Sequence, residues 1–266
     1  GHVLVVAGST GKAGAALLAA RGAFRAGAGL VTVASTTEVC RIATAAQPEV
    51  MTVALGEAAE CGDIPRAVTK LADTLSGVDA LVLGPGLGRG EKTQDFALDV
   101  AARCGRPVVI DADGLFALRA QTMSRISQRD QPTVLTPHPG EMARLLGLET
   151  VAVQRDRAAA VARAASETRA TVVLKGRHSL IGAPKPEIRV NLSGSPALAT
   201  AGSGDVLAGM VGALLARGLS AEEAATAAVH VHGLAGERAG RRRPWGTLAG
   251  DVAEAVPRVI ATLGRS

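Results

Sequence analysis

At 266 residues, with 47% apolar and 20% charged side chains, the chain suits one large α/β domain and is too apolar for disorder. A formal charge of +5 with 2% aromatic residues excludes a base-stacking platform for single-stranded nucleic acid and suits anionic, phosphorylated small molecules. No apolar run is long enough to span a bilayer and no signal peptide is visible, so neither a membrane nor a nucleic acid is an expected partner.

The chain opens directly on an apolar run at 3–6, which leaves either a short lead-in or a whole domain to be expected ahead of it. Gly8, Gly11 and Gly14 then turn the chain into a helix over 15–26 carrying Leu17, Leu18 and Phe24, and a strand follows at 30–34. This is a βαβ unit, but its glycines lack the G-x-G-x-x-G spacing. Ala34, Ser35 and Thr36 stand where the second strand of a dinucleotide site ends in an acid, which excludes the usual NAD fingerprint. Cys40, Cys61 and Cys104 are odd in number and lack metal-binding spacing, which predicts reduced thiols in a cytoplasmic protein.

A helix at 38–46, a strand at 50–55 and a helix at 65–75 continue the alternation. Strands at 79–83, 107–111, 133–136 and 171–174 are separated by helices at 93–103 and 156–168. Each of these four strands ends in a polar or glycine-rich turn. The turns carry Gly84, Pro85, Gly86, Leu87 and Gly88; then Asp111, Ala112 and Asp113; then Pro137, His138, Pro139, Gly140 and Glu141; then Lys175 and Gly176. In an open parallel sheet such turns gather outside the carboxyl ends of the strands, where ligands bind. Residues 179–191 read as short antiparallel strands, and helices close the chain at 205–217, 221–239 and 248–263. Arg241, Arg242 and Arg243 beside Trp245 read as a solvated loop. With no repeat or linker, residues 1–266 form one domain.

The most informative stretch runs from Asn191 to Met210. Gly202, Ser203 and Gly204 let backbone amides approach a ligand, and the helix behind them points free N–H groups and its positive dipole end at the same place. That is an anion cradle. Asp205 stands at its edge with two roles open: a helix cap, or a base that takes the proton of a hydroxyl attacking a phosphate.

These motifs together resemble the ribokinase-like carbohydrate kinases of the YjeF C-terminal type, the NAD(P)H-hydrate dehydratases. The resemblance rests on Ala7, Gly8 and Ser9 with Gly14, Ala15 and Ala16; Gly27 to Val31; Gly84 to Gly88; Asp111 to Asp113; Thr136 to Glu141; Leu174 to Gly176; and Asn191 to Gly209. It implies a three-layer α/β/α fold, a mostly parallel sheet with helices on both faces. It also implies repair of (S)-NADHX and (S)-NADPHX, the hydrated forms of NADH and NADPH, by phosphorylation of the new hydroxyl and elimination of phosphate. Bacterial members use ADP and eukaryotic ones ATP, and an Ala- and Arg-rich chain without Tyr resembles a GC-rich bacterial product, so ADP is expected.

Carried over by resemblance, Asp205 is the catalytic base and a substrate contact, and Ala15, Gly86 and His138 meet the hydrated nicotinamide. Lys175, Gly176, Arg177, His178, Ser179, Gly202 and Gly204 bind the nucleotide, and Asn191 and Glu141 hold Mg²⁺ through water. The resemblance further implies a homotetramer and an NAD(P)H-hydrate epimerase, fused upstream or separate, as partner. Ser193, Ser195, Ala201 and Ser203 depart from the residues common in relatives without removing a catalytic group. Two rivals remain at this point: a vitamin-type kinase for hydroxymethylpyrimidine or hydroxyethylthiazole, and a non-catalytic nucleotide sensor that would tolerate loss of Asp205.

Overall fold

A computed structural model of the chain describes residues 1–56, 71, 74–119, 121–241 and 245–264. Most of the helix expected at 65–75 lies outside the described residues, as do Cys61, Arg242 and Arg243. Among the described residues nine strands form one sheet: β1 (His2–Val6), β2 (Leu30–Thr36), β3 (Met51–Gly56), β4 (Ala80–Leu83), β5 (Val108–Ile110), β6 (Thr133–Leu135), β7 (Thr171–Leu174), β8 (Leu180–Gly182) and β9 (Ile188–Val190). Their order is β3-β2-β1-β4-β5-β6-β7-β8-β9, parallel from β3 to β7 and antiparallel for β8 and β9.

The strands are apolar on both faces because both faces are covered. Val3 and Val5 of β1 look into one core, together with Val82, Val109, Val134 and Val173. Leu4 and Val6 look into the other, with Leu81, Leu83, Ile110, Leu135 and Leu174. The first core is closed by α1 (Ala13–Arg25), α9 (Ser203–Ala216), α10 (Ala221–Gly240) and α11 (Ala249–Leu263). The second is closed by α3 (Glu91–Arg103), α6 (Pro139–Leu146) and α8 (Arg157–Thr168). Helix α2 (Thr37–Ala46) lies beside β2 and β3. This is the expected three-layer arrangement.

Helix α9 is buried on nearly every side, which is why its sequence shows no polar face. It crosses α1 backbone against backbone. A methyl on Gly209 would lie 1.9 Å from the carbonyl oxygen of Ala19, and one on Gly22 would lie 2.2 Å from that of Val206. Gly209→Val is therefore expected to force the helices apart and lower stability by about 3 kcal/mol or more, read as a fall in the urea midpoint.

Four short helices were not expected from the sequence: α4 (Asp113–Phe116), α5 (Met123–Ser127), α6 and α7 (Thr150–Arg155). Helix α6 corrects the reading of residues 137–141 as a turn. Pro139 is its first residue, where the missing N–H costs nothing, and His138 is its N-cap. The antiparallel pair β8–β9 falls inside 179–191 as expected, and Gly218 adopts φ +88° just past the end of α9.

Candidate active site

The chain crosses from β3 over to β4 on the far side of β1, so the loops after β1 and β4 meet at the point where the strand order turns. The Gly8 amide donates to the Pro85 carbonyl (2.8 Å), and Ser9 Oγ donates to the Gly86 carbonyl (2.8 Å). The first glycine turn thus binds its neighbouring loop. Gly86 sits at φ +63°, and a methyl there would lie 2.8 Å from Ala15 Cβ and 3.1 Å from the Lys12 carbonyl oxygen. Ala15 and Gly86 are thus brought together.

Next along the sheet, β5 ends in Asp111. Its carboxylate is 1% exposed, accepts from Thr136 Oγ1 at the end of β6 (2.8 Å), and pairs with Lys175 Nζ at the end of β7 (2.6 Å). Lys175 Nζ is also 3.8 Å from Glu141 Oε2 in the first turn of α6. Burial works against the ammonium, but Asp111 and Glu141 more than offset it and hold the Lys175 pKa above its ordinary value. Burial pushes Glu141 up, against the opposing pull of Lys175.

The anion cradle closes over this group. Gly202 is the N-cap of α9 at φ +83°, a left-handed conformation that a side chain would strain, and a methyl there would collide with Leu18 Cδ1 at 2.3 Å. A methyl on Gly204 would lie 3.3 Å from Lys175 Nζ and 3.8 Å from Asp111 Oδ2, so Lys175 rises beside the cradle amides. Ser203 between them is buried. His232 of α10 reaches it with Nε2 at 3.0 Å from the Ser203 carbonyl and 3.2 Å from its hydroxyl, and burial drops the His232 pKa to about 4. The neutral ring donates to the carbonyl, which pins the first turn of α9 from behind.

Asp205 is not the cap. The N-cap is Gly202, and no side chain caps this helix. An acid in a first helical turn is ordinarily stabilised in its charged form. Here burial, and then the negative charge of Asp111, outweigh Lys175 and raise Asp205 to about 7. An acid of that pKa exchanges its proton near neutrality, as a base for a hydroxyl must.

His138 proves to be more committed than a lone loop histidine. Its Nδ1 accepts from the amides of Gly140 (3.0 Å) and Glu141 (3.3 Å), while Glu141 Oε2 accepts from the His138 amide (2.8 Å), a reciprocal capping box. Nε2 lies 3.3 Å from Glu141 Oε1, and the side chain remains 54% exposed. The 175–179 segment forms a tight loop: Gly176 has φ +143°, His178 has φ +52°, Ser179 Oγ donates to the Gly176 carbonyl (3.1 Å), and Arg157 holds the Arg177 carbonyl (2.7 Å). Asn191 is turned into its own loop, donating to the Ser193 carbonyl and accepting from Ser193 Oγ, both at 2.9 Å. Among the described residues no hydrogen bond or ion pair joins it to Glu141.

Sequence reasoning singled out Asp111 and Asp113 as a motif but gave neither a role. Asp113 receives Arg89 Nε (2.7 Å), Lys12 Nζ (3.2 Å) and the Gly88 amide (2.9 Å). Burial opposes ionisation, but these partners win and hold its pKa below the usual range. Between the two acids, Ala112 takes φ +48°, a conformation that strains any side chain. His232 was missed because nothing in an alanine-rich helix signals that one histidine will be buried. No three His, Cys, Asp or Glu residues among those described are grouped to ligate a metal directly. Asp111 Oδ2 nevertheless stays buried without a hydrogen-bond partner beside the cradle.

A family model described as NAD(P)H-hydrate dehydratase matches residues 3–258. A bifunctional NAD(P)H-hydrate repair enzyme Nnr of Moorella thermoacetica is 42% identical over 99% of this chain and 50% of its own length. The chain thus spans about half the length of that relative. An ADP-dependent (S)-NAD(P)H-hydrate dehydratase of Neisseria meningitidis is 40% identical over 96% of this chain and 83% of its own. The solved ADP/ATP-dependent NAD(P)H-hydrate dehydratase of Bacillus subtilis, co-crystallised with ATP/Mg²⁺ and soaked with CoA, superposes with a TM-score of 0.82 at 28% identity. That match covers 98% of this chain and 92% of the other.

Proposed function

The chain belongs to the NAD(P)H-hydrate dehydratase family, and on that footing we propose that it is a lyase restoring NADH and NADPH from their (S)-hydrates at the expense of ADP. The observation that carries this reading is an acid raised to about 7, Asp205, set between a glycine anion cradle and the carboxyl ends of the sheet. A nucleotide sensor needs the cradle but has no use for such an acid. The vitamin-kinase reading gives way to the family match over nearly the whole chain.

Hydroxide is a poor leaving group and phosphate a good one. In the proposed sequence Asp205 takes the proton of the hydrate hydroxyl as its oxygen attacks the terminal phosphorus of ADP, which releases AMP. The amides at Gly202 and Gly204 stabilise the charge spread over the phosphoryl oxygens, and Lys175 adds a point charge 3.3 Å from the Gly204 Cβ position. The ring nitrogen then pushes its electron pair toward the carbon bearing the phosphate ester. That pair forms a C=N bond as the C–O bond breaks, phosphate leaves with the C–O bonding pair, and loss of a proton from the neighbouring ring carbon restores the ring double bond. Ala15, Gly86 and the half-exposed ring of His138 form the wall against the nicotinamide.

The hard oxygens of Glu141 and the unpartnered Oδ2 of Asp111 suit Mg²⁺ held through water, whose charge would screen the nucleotide phosphates. We place the enzyme in the cytoplasm, as a tetramer working beside an NAD(P)H-hydrate epimerase. Cys104, a buried free thiol, fits a reducing compartment. With NADH hydrate, Mg²⁺ and ADP, absorbance in the reduced-nicotinamide band should rise, and should rise more slowly with ATP. No rise with either nucleotide from folded protein would overturn the reading.

A further inference from the structure

Next to the acids of the site lies a positive rim that the proposed reaction does not use. Arg89, three residues past Gly86, and Lys12, whose carbonyl packs against Gly86, share the single carboxylate of Asp113. Arg89 lies over the Phe116 ring at 5.0 Å from its centroid, and Arg144 of α6 lies over the same ring at 3.6 Å. Arg144 also donates to the carbonyls of Leu115 and Phe116. Gln94 donates to the Arg89 carbonyl (2.7 Å) and accepts from Arg119 Nη2 (2.6 Å), which ties the third arginine to the first. Burial, then the charges of Arg119 and Arg89, hold the Arg144 pKa below its ordinary value, so the guanidiniums repel one another.

Four cations face the paired carboxylate of Asp113, with Glu141 a second acid whose charge reaches Arg144, so a positive surplus remains that stabilises nothing by itself. Such a fixed, partly exposed surplus of guanidinium groups is suited to a ligand with several phosphate oxygens, which arginine meets two at a time. The rim's position decides which ligand. It adjoins Gly86 on one side and the His138 helix on the other, the residues assigned to the hydrated nicotinamide, whereas Lys175 to Ser179 lie beyond Asp111. We infer that Arg89 and Arg119, set around Phe116 with Lys12 and Arg144, bind the phosphates of the dinucleotide substrate rather than those of the nucleotide donor. The inference rests on the dehydratase reading. It adds a specificity site, with the pyrophosphate of the dinucleotide as its ligand.

The test is calorimetric binding of NADH, NADPH and ADP to the wild-type chain and to Arg89→Gln/Arg119→Gln, both exposed positions. Arg144 is left alone because it ties backbone carbonyls. The double variant should bind NADH about 10-fold more weakly or worse, with ADP affinity within about twofold, and Arg89→Lys/Arg119→Lys should recover most of the loss. Rising salt should weaken NADH binding less in the double Gln variant than in wild type. NADH affinity unchanged within twofold, or an equal loss for ADP, overturns the subsite. If the wild-type chain dehydrates hydrate but the variant binds NADH normally, only the subsite falls. If the wild-type chain neither binds NADH nor dehydrates its hydrate, the dehydratase reading falls with it.

Discussion

Asp205→Asn is expected to lower turnover by at least about 100-fold while leaving the cradle intact, because it removes the base and keeps the shape. In the parent chain the rate should climb about tenfold per pH unit below 7 and level off above it, following ionisation of an acid whose pKa is about 7. Stability should run the other way. Asp205 is raised from 3.8, so the folded chain holds a proton that the unfolded chain has lost. Its contribution is full below about pH 4, declines as pH rises, and is gone above about 7. The Asn variant cannot ionise. It should therefore melt a few degrees higher than the parent at pH 8, and the gap should narrow toward pH 5. A variant that is slower yet more stable at high pH is the signature of a strained functional acid. Unfolding curves and steady-state rates at the same set of pH values check both halves.

Lys175→Met should be among the most destabilising single changes in the site. It leaves the 1%-exposed carboxylate of Asp111 with only the Thr136 hydroxyl on one oxygen and nothing on the other. Removing one partner of a buried pair costs about 3–5 kcal/mol, since the remaining charge stays desolvated. In a chain of this size that is a fall of roughly 10 °C in Tm. Adding Asp111→Asn removes the stranded charge, so the double variant should regain most of the loss without regaining activity. Additive losses would show that the two side chains act independently.

These expectations draw on residues that differed in how plainly the sequence displayed them. The sheet was legible because β1, β4, β5, β6 and β7 are short runs rich in Val, Leu and Ile, punctuated at their carboxyl ends by glycine, acid or lysine, or by Thr-Pro after β6. The cradle was legible because small residues leading straight into an apolar helix leave backbone amides uncovered at a helix N-terminus. Helix α6 was hidden, since Pro, His, Pro and Gly read as a turn until the position of Pro139 as its first residue is known. The role of Asp111 was hidden for a different reason. A strand-end acid and a strand-end lysine 64 residues apart become partners only when β5 and β7 are placed two strands apart with β6 between them. Tertiary proximity also bears on the choice between cap and base at Asp205. Spacing allowed both, and it is burial, the neighbouring charge of Asp111 and the N-cap position of Gly202 that bear on them.

The central claim is that the hydroxyl of the hydrate leaves as phosphate. It is tested most directly by labelling that hydroxyl with ¹⁸O and following the isotope through one turnover with ADP and Mg²⁺. The account predicts one labelled oxygen in the inorganic phosphate for each NADH formed and none in water. Label recovered in water, with ADP still required, would contradict it and make the nucleotide an activator of direct dehydration.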